Sequence, residues 1–146
     1  MNRKTAIGTL VSVLLVLGSS SSLLAHDGRC SLHSVSGSWG FTTNGIRNGV
    51  GPVAGAGVFT LDSNGSILDG AQTVSFNGVI ADETLSGTYT VGADCTGSAT
   101  VDVTSPIAPR TSHLNLIFVS HGNGLRAIFT DADTILTVDA KRVDPH

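Results

Sequence analysis

From about residue 35 onward the chain is built from short runs of alternating apolar and polar residues, punctuated by Asn-Gly. A run with period two buries one face of a strand and wets the other. Asn-Gly between such runs supplies the positive φ angles that tight hairpins need. The dipeptide occurs at Asn44-Gly45, Asn48-Gly49, Asn64-Gly65, Asn77-Gly78 and Asn123-Gly124. No stretch of this region carries the 3.6-residue apolar period of a helix.

The pattern predicts eight strands, at about 35–43, 53–61, 67–76, 84–91, 96–104, 113–120, 125–130 and 134–142. Alternation is cleanest in the fourth and fifth. There Leu85, Gly87, Tyr89 and Val91 face one way, as do Gly97, Ala99, Val101 and Val103. The sixth is denser in apolar residues, as if covered on both faces. Residues 105–112 contain Pro106 and Pro109, which cannot sit in a central strand, so they read as a long loop. The inward set is Val35, Trp39, Phe41, Phe59, Leu61, Leu85, Tyr89, Val91, Val101, Val103, Leu116, Phe118, Leu125, Phe129 and Val138.

Eight strands in a meander leave two exposed edges unless the sheet closes on itself. The expected fold is therefore all-β: a single-domain, antiparallel up-and-down β-barrel of about eight strands. A two-layer β-sandwich is the alternative.

The segment before this domain has a different character. Arg3 and Lys4 precede an uncharged run from Thr5 to Ala25, whose apolar centre is Leu10–Leu17. Basic, apolar and small-residue regions in that order read as a secretory signal peptide over residues 1–25, cleaved after Ala25. The alternative is an uncleaved membrane anchor. Against it, the strongly apolar part stops at Gly18, short of the about 20 residues a bilayer span needs. Residues 26–34 then form an arm carrying Cys30, the barrel spans 35–142, and 143–146 is a frayed tail. Location is expected to be secreted or periplasmic, with no membrane association once the signal is removed.

Setting 1–25 aside removes two bases and no acid, leaving 6 basic against 11 acidic residues, net −5. That balance offers no attraction to a phosphate backbone, so nucleic acid is not an expected partner. Cys30 and Cys95 are the two cysteines, and an even number in an exported chain points to a disulfide between them.

Gly37-Ser38-Trp39, with Arg142 near the end of the last strand, is similar to the Gly-X-Trp element and closing arginine of the calycin-like barrels, the lipocalins and avidins. Gly51-Pro52, the run Gly57–Asp62, and Gly87–Val91 through Asp94–Gly97 resemble a group of small, uncharacterised secreted bacterial proteins. That group is associated with a barrel similar to allene oxide cyclase. The resemblance covers most of residues 30–142. It implies a fold and a compartment, and it brings no reaction with it.

Candidate chemistry is sparse. His26 at a processed N-terminus could begin a copper site with His33, His113 or His121. However, His113 and His121 stand at opposite ends of one strand, about 26 Å apart. No metal or other cofactor is expected. Asp62, Asn64 and Ser66 have calcium-loop spacing, but the glycine is misplaced and Thr73 stands where a bidentate glutamate belongs. Asp-Ser-Asn-Gly is equally good turn chemistry, which is the reading preferred. Glu83, the one glutamate, reads as a surface acid beside Asp82 in a loop. Tyr89, if inward, must find a hydrogen-bond partner, and backbone is the expected one.

No nucleophile, base and orienting group converge, so no catalytic residue is assigned. The expected function is binding of a small apolar molecule inside the barrel, with Trp39, Phe41, Phe59, Tyr89, Phe118 and Phe129 as contact residues. A structural or cell-surface interaction protein is the alternative, and a small cyclase-like barrel enzyme the second. The sequence carries no signal for oligomeric state.

Overall fold

The structure is a computed structural model that describes residues 30–143. The signal segment 1–25, residues 26–29 with His26, and 144–146 of the tail lie outside the described residues. Eight strands, β1 (Gly37–Arg47), β2 (Gly51–Leu61), β3 (Ser66–Phe76), β4 (Val79–Tyr89), β5 (Thr96–Thr104), β6 (Arg110–Val119), β7 (Gly124–Phe129) and β8 (Thr134–Arg142), follow one another around a closed antiparallel barrel. The barrel is the expected architecture, and the sandwich is excluded. Closure is made by β1 against β8, in register from Trp39 opposite Arg142 to Arg47 opposite Thr134.

Turn chemistry explains most connections. Asn77 and Gly78 both take positive φ, the two-residue hairpin that joins β3 to β4. Asn48-Gly49 lies in the turn between β1 and β2. Asn44-Gly45, which reads as a turn from sequence, lies inside β1 instead. There Gly45 presses against β8 so closely that a Cβ would sit 1.9 Å from the Ile135 carbonyl oxygen. Asp62 caps the turn between β2 and β3: its carboxylate accepts from the Asn64 and Ser66 amides at 2.9 and 2.7 Å. A bulge at Leu68-Asp69 exposes two successive side chains and restores the inward phase at Gly70.

Two boundaries move, and each changes the reading. Strand β4 begins at Val79, five residues before the expected start, which carries Glu83 out of a loop and into the barrel wall. Strand β6 begins at Arg110, immediately after Pro109, so the proline loop is shorter than expected. Along β6, exposed Thr111, His113, Asn115 and Ile117 alternate strictly with buried Ser112, Leu114, Leu116 and Phe118, so the strand is covered on one face and not two.

One end of the barrel is sealed. A single helical turn, α1 (Leu32–Val35), is held by a capping box between Ser31 and Ser34. Val35, expected to open the first strand, is delivered instead as a fully buried plug beside the fully buried Trp39. The Trp39 indole donates to the Val35 carbonyl at 3.1 Å. The Cys30–Cys95 disulfide ties this arm to the start of β5, across 65 residues of chain. A loop of that length is worth about 4 kcal/mol in the chain-entropy picture.

Arg142 completes the seal. Its guanidinium lies 5.2 Å from the Trp39 ring centroid. It donates to the carbonyls of Ser36, Ser34 and Gly122, the last two at 2.8 and 3.2 Å. Gly37 makes the space, because a Cβ there would stand 2.7 Å from Arg142 Nη1. Arg142→Ala is expected to lower unfolding free energy by about 2–4 kcal/mol, since three carbonyls lose a charged donor. Lys should recover less than half, lacking the fork. Urea denaturation of both variants checks this; a loss below about 0.5 kcal/mol would show that the latch is idle.

Candidate functional site

Inward residues of the strands enclose a chamber of about 90 Å³ in which the centre of a water-sized sphere can move. A void needs about 10–15 Å³ of such volume to hold one water, so this one exceeds that threshold several-fold. Its wall is overwhelmingly apolar. Phe59, Leu61 and Ile67 contribute from β2 and β3, Leu85 and Tyr89 from β4, Ala99 and Val101 from β5, Leu114 and Leu116 from β6, and Leu125, Ala127 and Phe129 from β7. Small inward residues at Ala99 and Ala127 leave part of the volume unfilled, because a Cβ alone reaches little way across a barrel.

The six aromatic residues expected at the interior divide into two groups. Phe41, Phe59, Tyr89 and Phe129 line the chamber. Trp39 and Phe118 do not. They pack edge to face at 5.9 Å and, with α1, belong to the sealed end. Tyr89 presents its ring to the chamber, while its hydroxyl donates to the Asp62 carbonyl at 2.6 Å. Burial and the nearby Asp62 charge push this phenol up to about 12, so it stays protonated.

The opposite end of the chamber is polar, and it was not assigned from the sequence. Glu83 is 3% exposed, not a surface acid. It receives both terminal nitrogens of Arg110 at 2.8 and 2.9 Å and the Gln72 amide at 2.6 Å. Strand pairing sets this up: Gln72 on β3 is directly opposite Glu83 on β4. On β2, Gly57 faces Gln72, where a Cβ would lie 2.2 Å from the Ala71 carbonyl oxygen. Arg110 also donates to the Ala108 carbonyl and rests 5.4 Å from the Phe76 ring centroid. Burial pushes the Glu83 carboxyl up. Hydrogen bonds from Arg110, Ser105 and Gln72, with the charge of Arg110, outweigh it and hold the group below its ordinary value.

Arg47, at the end of β1, lines the same chamber, half-buried. Burial, then the charge of Arg110, lower its pKa, against smaller raising contributions from Asp131 and Glu83. The Arg110 side chain is 16% exposed, so water reaches the chamber from this end. The same end carries exposed aliphatic residues, with Ile46, Val79, Ile80 and Ile135 each at least half exposed.

Glu83 and Tyr89 stand six residues apart on one strand, about 20 Å. They therefore do not form the acid and phenol pair that an enzyme built on Tyr89 would need. The histidines are not brought together: His33 lies on α1, His113 bonds Asp131 on the outer face at 2.8 Å, and His121 is exposed in a short 3-10 turn (Ser120–Gly122). Among the described residues no three His, Cys, Asp or Glu side chains cluster as metal ligands, and no helix is long and apolar enough to cross a membrane. Comparison with protein-family models, with curated proteins and with solved structures found no match, so the chemistry of the site is read from its own residues.

Glu83 makes a sharp prediction. Its folded pKa is depressed, so its contribution to stability is full above the unfolded value near 4.3 and is lost as pH falls through the folded value. Denaturation midpoints should therefore drop on acidification below about pH 4, and Glu83→Gln should flatten that drop. At pH 7 the same variant strands a largely buried guanidinium and is expected to cost about 3–5 kcal/mol. The double variant Glu83→Leu with Arg110→Met should regain most of it. A single variant as stable as the parent at pH 7 would contradict the assignment.

Proposed function

We propose that this chain is an exported β-barrel that binds a small apolar molecule in its interior. The observation that carries the reading is the chamber itself: about 90 Å³ of space walled by Phe, Leu, Val and Ala and sealed at one end. The apolar part of the wall offers water no partners, so an apolar guest gains by occupying it. The volume favours a guest on the scale of benzene or a short alkyl chain, below the about 300–1,000 Å³ typical of drug-sized sites. Export is supported by the sequence of residues 1–25 together with the disulfide, a bond that persists in oxidising compartments.

Two measurements test this. The intact mass of the processed protein, produced with its own N-terminal segment, should correspond to a chain starting at His26; a product retaining Arg3 to Leu17 rejects export by cleavage. Benzene, titrated against the processed protein and followed by amide chemical shifts, should bind saturably with a sub-millimolar Kd, on the order of −5 kcal/mol. Ala127→Leu should abolish that binding while leaving the protein at least as stable, because the added atoms fill space that is empty. Absence of saturable binding, or equal binding by Ala127→Leu, would reject the interior as a ligand site.

A further inference from the structure

We propose that the guest is a short-chain monocarboxylate, its apolar tail in the chamber and its carboxylate held by Ser112, Arg110 and Arg47. The proposal rests on the reading of the interior as a ligand site and adds the chemistry of the head group. Ser112 is 2% exposed and faces inward on β6, and its hydroxyl has no hydrogen-bond partner among the described residues. Leaving a buried hydroxyl unpaired costs about 1–3 kcal/mol, so such groups are rare and call for an explanation. A second orphan stands beside it. Arg110 spends its terminal nitrogens on Glu83 and the Ala108 carbonyl, while its buried Nε–H has no partner.

Both residues line the chamber. They occupy adjacent inward positions on one strand, about 7 Å apart along it. A carboxylate has two oxygens and can accept the Ser112 O–H on one and the Arg110 Nε–H on the other.

Charge points the same way. Glu83 neutralises one arginine, and Arg47 lines the same chamber with no carboxylate within ion-pair distance among the described residues. An anionic head group there gives Arg47 the direct partner it lacks among the described residues, with Asp131 acting on it at longer range. An alcohol leaves a donor and Arg47 unmet. An ammonium or guanidinium head group would meet Arg47 and Arg110, so cationic head groups are disfavoured. Asp131, the other acid acting on Arg47, offsets part of its charge from outside the chamber lining and bonds His113. The tail then runs from Ser112 toward Leu114, Leu116 and Phe129.

Calorimetric titration of the processed protein with hexanoate, hexan-1-ol and hexan-1-amine at pH 7 tests the head group separately from the cavity. Hexanoate should bind at least about tenfold tighter than hexan-1-ol, with hexan-1-amine weakest. Ser112→Ala removes an unsatisfied group, so it should fold at least as well; it should weaken hexanoate about five- to tenfold and leave hexan-1-ol within about twofold. Arg47→Gln should weaken hexanoate similarly and reduce the salt dependence of its binding. Hexanoate binding no tighter than hexan-1-ol, or equally tight to Ser112→Ala, overturns the carboxylate proposal while benzene binding leaves the cavity reading intact. If benzene fails as well, both fall together.

Discussion

An eight-strand meander has two unpaired edges until β8 reaches β1, and the nine opposed residue pairs between Trp39–Arg142 and Arg47–Thr134 remove both at once. Closure fixes which side chains share the interior, because a slip by one residue would turn every inward group outward. It also brings Arg142 over Trp39, linking the last strand to the first through a ring contact and three backbone carbonyls. The disulfide then ties the preceding arm to β5, so the seal draws on residues far apart in sequence. With one end stoppered by Val35 and Trp39, the interior is accessible from the other end, and the barrel is polarised along its axis.

The interior carries two kinds of polar residue, and their difference matters. Thr43 is buried and satisfied, its hydroxyl donating to the Thr137 carbonyl of the neighbouring strand at 3.0 Å. Glu83, Gln72 and Arg110 satisfy one another in the same manner, although a buried ion pair rarely adds stability over an apolar replacement of similar volume. The buried apolar residues form two clusters, and the smaller one, Val53, Val74, Phe76, Ala81 and Leu136, lies at the polar end. Ser112 Oγ and Arg110 Nε are the exceptions to that satisfaction. Among the described residues they are the buried side-chain polar atoms with nothing to bond, and both belong to residues that line the chamber.

Much of the architecture is legible in the sequence because antiparallel barrels obey a period of two. The strands Thr84–Val91 and Thr96–Thr104 show their inward sets directly, and Asn77-Gly78 marks its hairpin. Helix α1 is a single turn, too short to display a period, and its capping box is Ser-x-x-Ser instead of Ser-x-x-Glu. Asn44-Gly45 misleads because a glycine needed for close strand approach looks the same as a glycine needed for a turn. The polar end of the site was hidden by a habit of reading charge as surface. Glu83 keeps strict phase with Leu85, Gly87 and Tyr89, Ser112 keeps phase with Leu114 and Leu116, and Gln72 keeps phase with Val74 and Phe76. Extending the fourth and sixth alternations by one residue each places Glu83 and Ser112 inside, and Gln72 already falls within the expected third strand. Which of them lack a partner is a matter of three-dimensional contact, and no one-dimensional pattern carries it.

The central claim is that closure leaves an empty chamber, apolar over most of its wall and open at one end. A crystal structure of the processed protein under xenon pressure tests it most directly, since xenon enters dry apolar voids and reports them as strong peaks. The account predicts xenon inside the barrel, among Phe59, Leu116 and Phe129, with those side chains unmoved. An interior free of xenon, with Phe59 and Phe129 folded inward to fill it, would contradict the account.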